Sequence, residues 1–157
     1  MQTWKQNGSG LLKAGQPSRQ ETPRGGQAGT LEIVVPYSNP EMTARVVARA
    51  AAFTAGLDAV LKLVAVYVAP YPAELRCPAG MEGHLTTRLT EIAETSSLPV
   101  SVHLVVSRDR AEGLRSVLRP GSAVLVGTRK RFWRTREEKL ARELTRQGHH
   151  VSLLHFD

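Results

Sequence analysis

The sequence predicts an α/β fold: a doubly wound, mostly parallel five-stranded sheet flanked by four helices. Three observations carry this. Five short apolar runs alternate with four stretches of helical spacing. The connections between runs are too long for hairpins and suit crossovers. The runs are almost continuously apolar, as strands buried on both faces require.

Leu31 to Val35 is the first run, β-branched and stopped by Pro36. Asn39-Pro40-Glu41 then reads as an N-cap, a proline at the first helical position and an acid in the first turn. Met42, Val46, Ala50 and Phe53 recur at one helical face, and Gly56 stands where a helix-ending glycine belongs. Val60 to Val68 is the second strand, closed by Pro70 and Pro72. A second helix is expected near Met81 to Ser96, with Leu85, Leu89 and Ile92 inward. Val100 to Val106 is the third strand, with His103 inside it. Asp109 caps a third helix carrying Ala111, Leu114, Val117 and Leu118, which Pro120-Gly121 breaks. Ala123 to Val126 is the fourth strand. Thr135-Arg136-Glu137-Glu138 matches the Thr-x-x-Glu capping box and starts the fourth helix, striped by Leu140 and Leu144 and ended by Gly148. Val151 to Phe156 is the fifth strand.

Residues 1–30 hold few large apolar side chains and read as a disordered tail, which leaves residues 31–157 as one domain. The tail has no apolar core of the kind a signal peptide needs. No run approaches the roughly 20 apolar residues of a membrane span. Cys77 is the single cysteine, so no intramolecular disulfide forms, and a reducing, cytoplasmic setting is the expectation. The five histidines, His84, His103, His149, His150 and His155, lack metal-ligand spacing, so no metal site is expected. No nucleophile elbow, Walker loop or paired-carboxylate motif occurs, which argues against an enzyme.

The net charge of +7 is uneven. Residues 31–128 balance at nine cations and nine acids, whereas residues 129–146 carry eight cations against three acids. A local cluster of this kind points to a local anionic partner rather than to general nucleic-acid binding. The cluster comes directly after a strand: Val124-Leu125-Val126-Gly127-Thr128 runs into Arg129-Lys130-Arg131. One reading is an anion site, with guanidinium groups pairing phosphate oxygens beside the fourth helix's positive end. The other is a solvated basic loop clamped to Glu137, Glu138 or Glu143. Phe132 and Trp133 serve either to stack on a base or as a hydrophobic staple, and packing is the expected use of at least one of the two. Tyr37, Ser38 and Asn39 come after the first strand, where they either cap the helix or offer polar groups to a ribose or base edge.

These residues resemble the universal stress protein family over about residues 31–157. The first strand with Pro36 and its capped helix, Leu63 to Val68, and Val124 to Thr128 before a basic segment carry the likeness. The resemblance implies strand order 3-2-1-4-5 in a Rossmann-like three-layer sandwich of the adenine-nucleotide α-hydrolase kind. It also implies a homodimer through the fifth strand and, in one branch, ATP binding. That branch has an acid in the first turn and further glycines after the fourth strand. Here the turn is Tyr37-Ser38-Asn39, Lys130 replaces the second glycine, and Leu140-Ala141 stands at the last Gly position.

The expectation is a non-enzymatic, stress-related bacterial domain with a degenerate cleft for ATP, another nucleotide or a small phosphate ligand. Tyr37, Ser38, Gly127, Thr128, Arg129 and Arg131 are its candidate residues. The alternative is a ligand-free interaction module. In that reading the basic fourth helix, through Arg134, Arg136 and Arg142, docks an acidic protein partner or, less favoured, nucleic acid.

Overall fold

The computed structural model describes residues 3–7, 11–13, 29–131 and 133–157, the first two segments by their backbone alone. The elements are β1 (Thr3–Asn7), β2 (Leu11–Lys13), β3 (Leu31–Pro36), α1 (Pro40–Phe53), β4 (Ala59–Val68) and α2 (Ala79–Thr95). They continue as β5 (Val100–Ser107), α3 (Arg110–Arg115), β6 (Ala123–Arg129), α4 (Arg136–Arg146) and β7 (His150–Phe156). The sheet order is β2-β1-β5-β4-β3-β6-β7. Its five strands from β3 onward pair in parallel, in the expected order.

Strand alternation sorts the core into two layers. Ile33 and Val35 point with Leu61, Leu63 and Val102 toward α1 and α2. Val34 points the other way, with Val64, Val124 and Val126, toward α3 and α4. Each fully buried Leu or Val contributes about 1.5–3 kcal/mol, so the sheet is fixed from both faces. In α1, Met42, Val46 and Ala50 are buried as their spacing predicts. Phe53 departs from that face and is exposed at the helix end, where an Arg49 guanidinium lies 5.9 Å from its ring centre. Helix α3 ends at Arg115, short of Val117 and Leu118, which pack as a turn against the second layer.

Two findings correct the reading of residues 1–30 as an unstructured tail. Residues 3–7 run antiparallel to β5, with Thr3 opposite Val105 and Asn7 opposite Ser101. Residues 11–13 pair antiparallel with them. The physical reason is the open β5 edge: its unpaired main-chain groups accept an extended segment whatever its side chains. The rest of the expected tail lies outside the described residues.

Among the described residues no helix is long and apolar enough to cross a membrane.

Candidate functional site

The order β4-β3-β6 reverses the direction of winding between β3 and β6, and open α/β sheets hold ligands outside the carboxyl ends at such a point. The β3–β6 ladder is short here, Ile33 with Ala123 and Val34 with Val124. Beyond it β6 continues to Arg129, and a cleft of about 680 Å³ opens at this edge.

One wall comes from the turn between β3 and α1. Asn39 has extended backbone, and its Oδ1 accepts from the Met42 amide at 2.9 Å. The Ser38 amide donates to Thr43 Oγ1 at 3.2 Å, and Ser38 faces the cleft with Asn39, Glu41 and Met42. Tyr37 does not join them. It is in phase with Ile33 and Val35, so alternation sends its ring into the α1/α2 layer. Burial there raises the phenol's pKa, partly offset by the nearby Arg88 charge. Only its main chain serves this edge: its carbonyl accepts from Arg110 Nη2 at 3.1 Å. The assignment of Tyr37 as a cleft-lining residue is therefore corrected.

The opposite wall is formed by β6 and the segment that leads from it to α4. Gly127, Thr128 and Arg129 are not loop residues, as the sequence suggested, but strand residues paired with Leu154, His155 and Phe156. Gly127 is required by packing. A Cβ there would clash with Val46 Cγ2 and lie 2.9 Å from Met42 Sδ. Thr128 is buried at 2% exposure, its Oγ1 2.8 Å from Thr135 Oγ1. Thr135 in turn completes the predicted capping box: its hydroxyl accepts from the Glu138 amide at 3.1 Å, and Glu138 Oε2 accepts from the Thr135 amide at 3.3 Å. Strand end and helix start are thus joined hydroxyl to hydroxyl.

Between these anchors runs the basic segment. Arg129 Nη2 lies 3.3 Å from Glu41 Oε2, and Lys130 Nζ 3.1 Å from Asp157 Oδ1, both pairs exposed. Such exposed pairs stabilise by only about 0–1 kcal/mol each. Arg131, Arg134 and Arg136 face the cleft, exposed, and form no ion pair with the described residues. Trp133 stands on the rim at 86% exposure, too exposed to serve as a staple. Phe132 lies outside the described residues.

Sequence reasoning missed Arg110. It comes directly after the Asp109 cap of α3, whose start shares the sheet's carboxyl edge with α1 and α4. Its Nη1 lies 2.6 Å from Glu137 Oε2, in a pair with side chains only 18% and 19% exposed. The position after a helix cap at a strand's end was the available signal. Four arginines and two glutamates therefore line the cleft, and both glutamates are already engaged by arginines. Positive charge dominates.

A smaller groove of about 560 Å³ runs between α4 and β7, past Arg142, Arg146 and His155. Arg146 is paired to Glu143 on its own helix. Cys77 is buried in the first core layer, and its burial, with Glu82 nearby, raises the thiol's pKa. Among the described residues no group of three His, Cys, Asp or Glu side chains is placed to hold a metal.

No family model matches the chain, and no curated protein matches it. A solved structure of a universal stress protein from Archaeoglobus fulgidus is similar, with a TM-score of 0.56 and 15% identity. The match covers 81% of this chain and 93% of that one. At this identity the likeness shows the fold, and it is the fold that the sequence resemblance implied.

Proposed function

We propose, from the universal-stress-protein fold as premise, that this chain is a stress-related regulatory domain that binds a nucleotide or another phosphate-bearing ligand without turning it over. One observation carries the reading: Arg129, Arg131, Arg134, Arg136 and the exposed Trp133 line one cleft at the carboxyl ends of β3 and β6. Guanidinium forks match phosphate oxygens in pairs, and an exposed indole offers a face to a base. Ser38 and Asn39 supply neutral polar groups on the facing wall. Binding without chemistry is supported by the lining carboxylates, since Glu41 and Glu137 are both held by arginines.

A thermal-shift series with ATP, ADP, AMP and inorganic phosphate tests the reading. Ligand at a hundredfold excess over its Kd stabilises by about 2.7 kcal/mol. The double variant Arg131→Ala/Arg134→Ala should abolish most of that shift. No stabilisation by any of the four at millimolar concentration would sink the proposal.

The proposal includes a homodimer formed through β7, the outermost strand on that side of the sheet. It also includes a cytoplasmic location, which the single, buried, unpaired Cys77 supports.

A further inference from the structure

We infer that the cleft selects the metal-free form of a nucleoside di- or triphosphate, and that magnesium opposes binding. This rests on the nucleotide reading above and adds the ionic form of the ligand.

A phosphate cradle is built from successive amides that converge, usually through a glycine of positive φ. Here Gly127-Thr128-Arg129 is extended strand, and an extended chain sends successive amides to opposite sides. The next amide, of Lys130, donates to the Phe156 carbonyl at 3.2 Å. Among the described residues the glycines of positive φ, Gly29, Gly56, Gly121 and Gly148, all lie elsewhere. The main chain of β6 therefore does not wrap an anion.

With no convergent amides from β6, side-chain cations must balance the phosphates. Arg131, Arg134 and Arg136 face the cleft without an ion pair among the described residues. A magnesium ion on a nucleotide cancels about two of its negative charges and normally gains protein carboxylate oxygens in return. Among the described residues the carboxylates lining this cleft are Glu41 and Glu137, one 3.3 Å from Arg129 and the other 2.6 Å from Arg110 in a mostly buried pair. The metal complex would thus bring a cation among arginines, find no unengaged carboxylate, and present fewer charges to the guanidinium groups. The metal-free polyanion wins on each count.

The test is calorimetric titration of the wild-type chain with ADP and with ATP, first in EDTA and then in excess MgCl2. Ionic strength is matched with NaCl, because screening alone weakens exposed pairs. The expected result is a Kd about tenfold weaker with magnesium, the scale of two exposed charge pairs. In Arg131→Gln/Arg134→Gln, checked for folding by circular dichroism, the metal-free affinity should fall further than that of the magnesium complex. The ratio between them then shrinks toward one. Binding that is equal or tighter in magnesium overturns this inference and leaves the nucleotide reading standing. Failure of ADP and ATP to bind under either condition, with inorganic phosphate titrated alongside and also failing, overturns both.

Discussion

Gly127 illustrates how one residue can invite two explanations. In the sequence it looks like the glycine of a phosphate loop. In the structure its missing side chain is the space into which α1 packs, through Val46 and Met42. Val46 is β-branched and stiff on a helix, so it cannot swing aside as Met42 can. Gly127→Ala should therefore cost about 1–3 kcal/mol of stability in urea unfolding, with or without ligand. An unchanged midpoint would return the glycine to a ligand role. Tyr37 was legible in principle, because Ile33, Val35 and Tyr37 share one side of an alternating strand. Trp133 was not, since nothing in its neighbours' spacing says whether a loop indole packs or protrudes. Burial raises the pKa of both the Cys77 thiol and the Tyr37 phenol, so each keeps its proton to higher pH in the folded chain than in the unfolded one. The folded state then binds more protons, and stability should fall as pH rises through and above the ordinary thiol range. Cys77→Ser should flatten the first part of that decline in denaturation curves collected at stepped pH.

At the level of elements, the starts of helices were read more surely than their ends. Asn39, Asp109 and Thr135 all cap as predicted, because a cap is a local exchange of hydrogen bonds that three or four residues settle. The end of α3 and the extent of β6 depend on what packs against them, which local pattern does not contain. The antiparallel pieces β1 and β2 depend on an edge supplied by a strand far along the chain. Helix α4 gathers most consequence into one residue, since Thr135 caps it, completes the box with Glu138 and meets Thr128. Thr135→Ala should cost about 1–2 kcal/mol in chemical denaturation, and Thr135→Ser should recover most of it. A loss no larger than that of an exposed surface substitution would mean the box is formed but not needed.

Across the whole molecule, charge and architecture are separable. The balanced body, residues 31–128, supplies most of the sheet, and the excess charge is split between residues 1–30, at +3, and residues 129–146, at +5. That division was legible in composition, whereas the pairing of Glu137 with Arg110 across two helices was not, since it needs the fold to bring them together. Sedimentation velocity should give the mass of a dimer at micromolar concentration, and Leu153→Lys on β7 should shift it toward monomer; monomer throughout the wild-type series would contradict the proposed self-association. The contact between the Thr128 and Thr135 hydroxyls has a further meaning for how such a protein changes over time. It fastens the end of β6 to the start of α4 like a clasp, so the short connection between them is an interchangeable part. Lengthening a clasped loop is inexpensive, about 0.6 kcal/mol for each doubling. Replacing residues 130–134 by a Gly/Ser segment should leave the melting temperature within a few degrees (about 1 kcal/mol) while removing anion binding. On the proposed reading, ligand preference can then be rewritten by exchanging one short insert, with sheet, helices and their packing left as they were.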